Sequence, residues 1–217
     1  MNRDPLASML RSSLTMILAG GQGERLYPLT RDRTKPAVPF GGIYRIIDFT
    51  LSNWLNSNLR KIYILTQYKS DSLHTHLRLG WGIFHEELGE YIVSTPPQFR
   101  ASNHWYKGTA DAIFQNIYTL QEERPEYVII LAGDHIIHTH RVFTYPFQDA
   151  EQRQQYGRDV GTIDSFWEAN MDVISIVPSF NLYDAAWPIR TYQAPSPPAK
   201  TVLRINRTIG SASHSNR

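Results

Sequence analysis

The sequence predicts an α/β fold, a parallel sheet with helices on both faces. Three observations predict it. Short apolar, β-branched runs alternate with stretches of helical periodicity between residues 14 and 132. The run over 127–132 is almost continuously apolar, as expected of a strand buried on both faces. The first run, Leu14 to Ala19, stops abruptly in Gly20, Gly21 and Gly23, a strand running into a glycine-rich loop.

The elements follow in order. Residues 1–13 carry Arg3 and Arg11 but no apolar core like that of a signal peptide, and read as a disordered lead-in. After the 14–19 strand, three glycines in four positions let the backbone pass close to a ligand and aim several N–H groups at one place. Arg25 and Lys35 add two cations, so the loop suits a polyphosphate; the alternative is a tight turn with no ligand. The Walker pattern is absent, and the dinucleotide fingerprint fails because Leu26 stands where its third glycine belongs. Residues 36–47 are irregular. A helix is predicted from Asp48 to Leu59, with Asn58 near its end, then a strand from Lys61 to Thr66. Ser70 is a candidate cap for a helix over 71–79. His74 and His76 stand two apart on it, do not share a face, and are not expected to bind metal.

A short strand over 91–94, a loop over 98–108 and a helix from 109 to 123 come next. That helix has Ala112, Ile113, Asn116, Ile117 and Leu120 as its inner stripe. The 127–132 strand then ends at Gly133-Asp134-His135. Beyond 137 the texture changes, and 138–200 reads as a junction followed by a further part of the same domain. Within it Gly157 to Thr162 is a turn, Thr162 caps a helix over 163–175, Pro178 to Pro198 is irregular and 200–205 is a last short strand. Residues 201–217 are small and polar and read as a disordered tail.

Ligands in such sheets bind at the carboxyl ends of the strands. The glycine loop and Asp134 both lie there, on a domain half running from 14 to 137. A carboxylate at that place is a natural Mg²⁺ ligand. Asp159 is a second candidate, or a turn or capping residue. His135 either touches a ligand or fills the strand end. Trp105 to Asp111 joins aromatic surface, Lys107 and a helix start, suited to covering a base and holding an anion, or else is a surface loop pinned by its own aromatics.

Composition excludes several classes. At 217 residues there is room for one sizeable domain or one and a half, and a net charge of +2 gives no basic field for nucleic acid. The absence of cysteine excludes a disulfide framework and thiolate metal sites and fits the cytoplasm. No apolar run approaches the length of a membrane span.

With these stretches in hand the chain resembles the bacterial-type glucose-1-phosphate adenylyltransferases. The resemblance rests on Leu18-Ala-Gly-Gly-Gln-Gly-Glu-Arg-Leu-Tyr-Pro-Leu-Thr, Lys35-Pro-Ala-Val-Pro-Phe-Gly-Gly and Tyr44-Arg-Ile-Ile-Asp-Phe. It continues through Leu65-Thr-Gln-Tyr, Trp105-Tyr-Lys-Gly-Thr-Ala-Asp-Ala and Leu131-Ala-Gly-Asp-His-Ile. Arg158-Asp-Val-Gly-Thr-Ile, Phe166-Trp-Glu-Ala-Asn-Met-Asp and Trp187-Pro-Ile-Arg-Thr-Tyr complete it. It implies a Rossmann-like nucleotidyltransferase sheet that joins ATP to glucose 1-phosphate and releases pyrophosphate, in glycogen or starch synthesis, with Mg²⁺ as cofactor. It implies Asp134 and Asp159 as the metal pair, with Arg25, Lys35 and Asp134 as the catalytic group. Gly20, Gly21 and Gly23 would lie around the triphosphate, and Gln67, Trp105, Tyr106, Gly108 and Thr109 around the nucleotide. Family members are typically homotetramers.

The chain departs from the family in one respect. Asp134 and Asp159 are 25 positions apart, far closer than the corresponding family motifs. The intervening family segment carries further strands and a Glu-Lys-Pro motif whose lysine holds the sugar phosphate, and no Glu-Lys-Pro occurs here. The expectation is therefore an incomplete sheet with an intact ATP half-site and a damaged sugar half-site, and without the family's C-terminal β-helix domain. The alternative is a non-catalytic ATP-binding or subunit-interaction module, or a product without function.

Overall fold

A computed structural model describes residues 5–98, 104–137 and 156–195. The chain opens with α1 (Pro5–Arg11) and β1 (Ser13–Ala19). After the glycine loop come β2 (Pro39–Phe40), β3 (Tyr44–Arg45), α2 (Ile46–Asn56), β4 (Lys61–Thr66), α3 (Asp71–Gly80) and β5 (Tyr91–Thr95). Then follow α4 (Thr109–Gln115), α5 (Ile117–Glu123), β6 (Tyr127–Ala132), β7 (His135–Ile137), β8 (Gly157–Asp159) and α6 (Ile163–Val173). β5, β4, β1 and β6 form one sheet in that order, every pair parallel. The parallel α/β architecture is as expected.

Helices cover both faces because the strands alternate. Ile17, Ala19, Ile62 and Ile64 point toward α2 and α3, where they meet Trp54, Leu73 and Leu77. Leu14, Met16 and Leu65 point the other way, under Ala112, Ile113 and Leu120 of α4 and α5. A third cluster lies outside the sheet. Phe40, Phe49 and Phe180 pack edge to face, with Phe40–Phe49 ring centroids 5.3 Å apart and Phe49–Phe180 5.5 Å. Ile136, Val160, Ala169 and Ile189 complete it. This cluster carries the segment after residue 156 back onto α2.

One buried carboxylate ties these parts together. Asp48 accepts hydrogen bonds from His76 Nε2 (2.6 Å), Trp81 Nε1 (2.9 Å), Thr191 Oγ1 (2.6 Å) and its own helix's cap, Arg45 N (2.8 Å). Trp187 Nε1 donates to Asn53 Oδ1 at 2.8 Å and Arg190 N to Ser52 Oγ at 2.9 Å, so the irregular 187–191 strap lies along α2. His74 and His76 bond to Thr66 and Asp48 respectively, and so do not pair on a common ligand.

Several sequence expectations are corrected. The lead-in over 1–13 is not wholly disordered: residues 5–11 are helical. Leu10 packs into the α2/α3 core, and the Ser12 and Ser13 hydroxyls donate to Met9 O at 3.1 and 2.7 Å, capping the helix end. β6 is not buried on both faces. Among the described residues it is the edge of the sheet, and Tyr127, Val128 and Ile130 are exposed. The 109–123 helix is broken at Asn116 (φ −107°, ψ 16°), whose side-chain amide donates to Ala112 O and to the Tyr106 hydroxyl. Ala112, Gln115, Asn116 and Thr119 are its buried residues and Ile113 and Leu120 pack partly buried against the sheet, as predicted, while Ile117 is exposed. The helix predicted from Asp48 begins at Ile46 and ends at Asn56, with Asn58 left-handed (φ 63°) just beyond it. Gly157–Asp159 is a strand rather than a turn, because it pairs antiparallel with β7. The 138–155 junction, the 200–205 strand and the 201–217 tail lie outside the described residues.

Candidate nucleotide and metal site

The carboxyl ends of β1, β4 and β6 open into one cavity of about 660 Å³. Leu18, Leu65, Ala112 and Ala132 form apolar walls, and Gly20 to Arg25, Lys35, Gln67 and Asp134 form the polar ones.

The glycine loop has a defined shape. Gly23 has φ +67°, in the left-handed region, and a Cβ there would come within 2.9 Å of Thr30 Cγ2. Thr30 Oγ1 donates to Gly23 O (2.8 Å), and Lys69 Nζ donates to Thr30 O (3.1 Å). Thr34 Oγ1 donates to Ala19 O at 3.1 Å, anchoring the far end of the loop on β1. Arg25 lines the cavity from an exposed position.

Gln67 sits beyond β4, where its Cβ would touch a Cβ placed on Gly20 at 3.0 Å, and its Nε2 donates to Tyr106 O at 3.4 Å. Tyr106, Gly108 and Thr109 line the opposite wall. Burial pushes the Tyr106 phenol up, so it stays protonated around neutral pH. Trp105 does not line the cavity. It stacks on Tyr68, with centroids 5.2 Å apart and planes at 25°.

The two candidate metal ligands meet. His135 pairs with Asp159 across the β7–β8 ladder, which sets Asp159 beside Asp134. Ligand atoms of Asp134, His135 and Asp159 lie within 4.8 Å of one another. Lys35 Nζ donates to Asp134 Oδ2 at 2.7 Å and to Asp159 Oδ1 at 3.4 Å. β8 is held in place by Val160 in the aromatic cluster and by Arg158, whose Nη2 is 3.0 Å from Asp172 Oδ2 on α6. Two hard carboxylates side by side, half neutralised by one ammonium, have the donor chemistry of a site for a divalent cation with oxygen ligands.

Sequence reasoning missed residues that shape this site through close approach. A Cβ on Gly133 would lie 3.0 Å from Ile17 Cγ2 and from Ile47 Cδ1, so a side chain there would press on both where β6 ends before Asp134. A Cβ on Gly161 would lie 3.2 Å from Asp159 Oδ2. Thr50 Oγ1 donates to Ala132 O at 3.1 Å, pinning the end of β6 from α2. The glycines were visible as letters, but the contacts around Gly133, to Ile17 and Ile47, are long-range.

The sheet is that of a Rossmann-like nucleotidyltransferase fold, and the chain matches the family model described as "Nucleotidyl transferase" over residues 14–156. It is 38% identical to the glucose-1-phosphate adenylyltransferase of Koribacter versatilis (strain Ellin345), with 92% of this chain and 74% of the relative covered. It is 37% identical to that of Rhodopirellula baltica, covering 93% of this chain and 68% of the relative. Against glucose-1-phosphate adenylyltransferase 2 of Vibrio parahaemolyticus the identity is 39%, covering 89% and 74%. The chain belongs to the glucose-1-phosphate adenylyltransferase family. The first alignment extends over 307 residues, yet 92% of this 217-residue chain is only about 200 residues. A large block of the relative thus has no counterpart here. Among the described residues no helix is long and apolar enough to cross a membrane.

Proposed function

We propose that this chain binds ATP with Mg²⁺ in the cavity at the strand ends, and that it carries out the adenylyl transfer of its relatives only weakly. In that reaction glucose 1-phosphate attacks the α-phosphorus of ATP and pyrophosphate leaves. The observation that carries the reading is the meeting of Asp134, Asp159 and Lys35 at the edge of the cavity the glycine loop lines. Asp134 and Asp159 would hold the metal. When bound, it supplies charge stabilisation on the phosphates. Gly20, Gly21 and Gly23 present backbone N–H groups, and Arg25 a planar cation, to the triphosphate. Gln67, Tyr106, Gly108 and Thr109 bound the space for the nucleoside. The sugar side is the weak half: the Glu-Lys-Pro segment is missing, in keeping with the shortfall in the alignments.

Calorimetric titration with ATP and Mg²⁺, paired with pyrophosphate release in the presence of glucose 1-phosphate, tests both halves. ATP is expected to bind, Asp159→Asn to weaken that binding about tenfold or more, and turnover to fall far below that of the full-length relatives. Turnover equal to theirs would sink the damaged sugar half-site. Absence of nucleotide binding would sink the intact one.

A second reading, a subunit-interaction module, is favoured by a different observation, the exposed apolar edge strand β6. Co-purification with a full-length relative, without nucleotide binding by this chain alone, would select it.

A further inference from the structure

Lys35 is expected to meet a triphosphate, yet its side chain is turned to the two carboxylates. The residue is 8% exposed, with its ammonium 2.7 Å from Asp134 and 3.4 Å from Asp159. Two carboxylates this close repel unless a cation lies between them. Lys35 supplies one positive charge at that place, and a divalent ion would supply two. A second cation entering while the ammonium remains would meet like-charge repulsion at short range, where partial burial weakens screening. Lysine and metal therefore compete for the same pair of oxygens.

The backbone beneath the lysine is fixed. Val38 N donates to Lys35 O and Ala37 N to Thr34 O, each at 3.0 Å, and Thr34 is tied to β1. Only the side chain is free to move. Its four-carbon stem roots it in the same cavity that the Gly20–Arg25 loop lines.

We infer that Lys35 is a built-in counter-ion of the metal pair: it holds Asp134 and Asp159 together until a divalent cation binds, and must leave them for that cation to do so. The inference rests on the reading of Asp134 and Asp159 as the metal pair. A triphosphate offers the ammonium competing anionic oxygens in the cavity and draws it off the carboxylates. Metal and nucleotide then favour each other, and by linkage the effect is reciprocal. The metal alone binds weakly, because only the fraction of molecules with Lys35 displaced is competent to receive it.

Mn²⁺ titration of the full chain, followed by electron paramagnetic resonance of the free ion, tests this in the absence of nucleotide. Lys35→Gln is expected to bind Mn²⁺ about tenfold more tightly than wild type, which corresponds to a competent fraction of about one in ten. Mn²⁺ is also expected to raise the melting temperature of Lys35→Gln more than that of wild type. Equal or weaker binding by Lys35→Gln overturns the inference. Asp159→Asn separates the two levels. If its loss of Mn²⁺ binding accompanies equal affinities of wild type and Lys35→Gln, the metal pair stands and the lysine's role falls. If Mn²⁺ binding survives Asp159→Asn, the metal pair falls and the inference with it. Should Lys35→Gln fail to fold, the wild-type protein still decides. Acetylation of Lys35, read by mass spectrometry, should rise several-fold on adding Mn²⁺, and unchanged labelling overturns the inference.

Discussion

β1 and β6 are similar as sequence, Leu-Thr-Met-Ile-Leu-Ala against Tyr-Val-Ile-Ile-Leu-Ala, and they lie side by side, the parallel ladder offset by one residue from that match. Their surroundings differ sharply. Met16 is fully buried, while its cross-strand neighbour on the same face, Ile130, is 52% exposed. β1 has strands on both sides and helices over both faces. β6 has a strand on one side only among the described residues, and α4 and α5 cover β1 and β4 in preference to it. Asp48, beneath the strap, receives four hydrogen bonds and ties β1's side of the molecule to the segment after residue 156. An apolar strand thus states a demand for cover. Whether the demand is met depends on chain elsewhere, and this family member lacks a large block that its relatives possess.

The largest expected effect lies on the well-tied side. Asp48→Ala strands the donors of His76, Trp81 and Thr191 in a buried place, and should cost about 3–5 kcal/mol in urea unfolding. A loss under about 1 kcal/mol would mean that the strap is not held through this carboxylate. Next comes the direct comparison. Met16→Ala should cost about 2–4 kcal/mol and Ile130→Ala less than about 1 kcal/mol, because only the first leaves a closed cavity. Equal costs would show that β6 is covered in solution. Ile130→Lys should then change stability by no more than about 0.5 kcal/mol while raising the concentration at which the protein aggregates, since charge blunts an open edge. Light scattering reads the difference.

The smallest effect concerns the entrance to α4. The backbone N–H of Lys107 donates to the Asp111 carboxylate at 2.8 Å and holds its pKa below the ordinary 3.8. A carboxyl with a depressed folded pKa contributes stability above its unfolded value and loses it as pH falls through the folded one. The stability gap between wild type and Asp111→Asn should therefore be present at neutral pH and close below pH 3.8. A gap that stays constant down to pH 2 would mean that the carboxylate does not act through its charge.

Much of this protein was legible from local pattern. The strand at 61–66 carries the same bounds in sequence and structure, and the 71–79 helix runs one residue longer. The Thr162 cap is present, with its Oγ1 accepting from Ser165 N at 3.2 Å. The glycine loop, Lys35 and Asp134 share one cavity wall because all three follow strands whose ends coincide in a parallel sheet. Trp105 stacks on Tyr68, a partner 37 positions away that its neighbours in sequence do not name.

The sequence by itself determined the α/β class, the strand ends at which a site must lie, and the residue types that can hold phosphate and metal. Period, turn chemistry and apolar run length are local properties, and each is written within a dozen residues. Only the tertiary structure decided three things: that β6 is an edge among the described residues, that Asp159 reaches Asp134, and that Lys35 lies between them. Each depends on pairing between segments distant in the chain. A residue's burial and its charge partners are set by whatever packs across from it, and no local pattern encodes that.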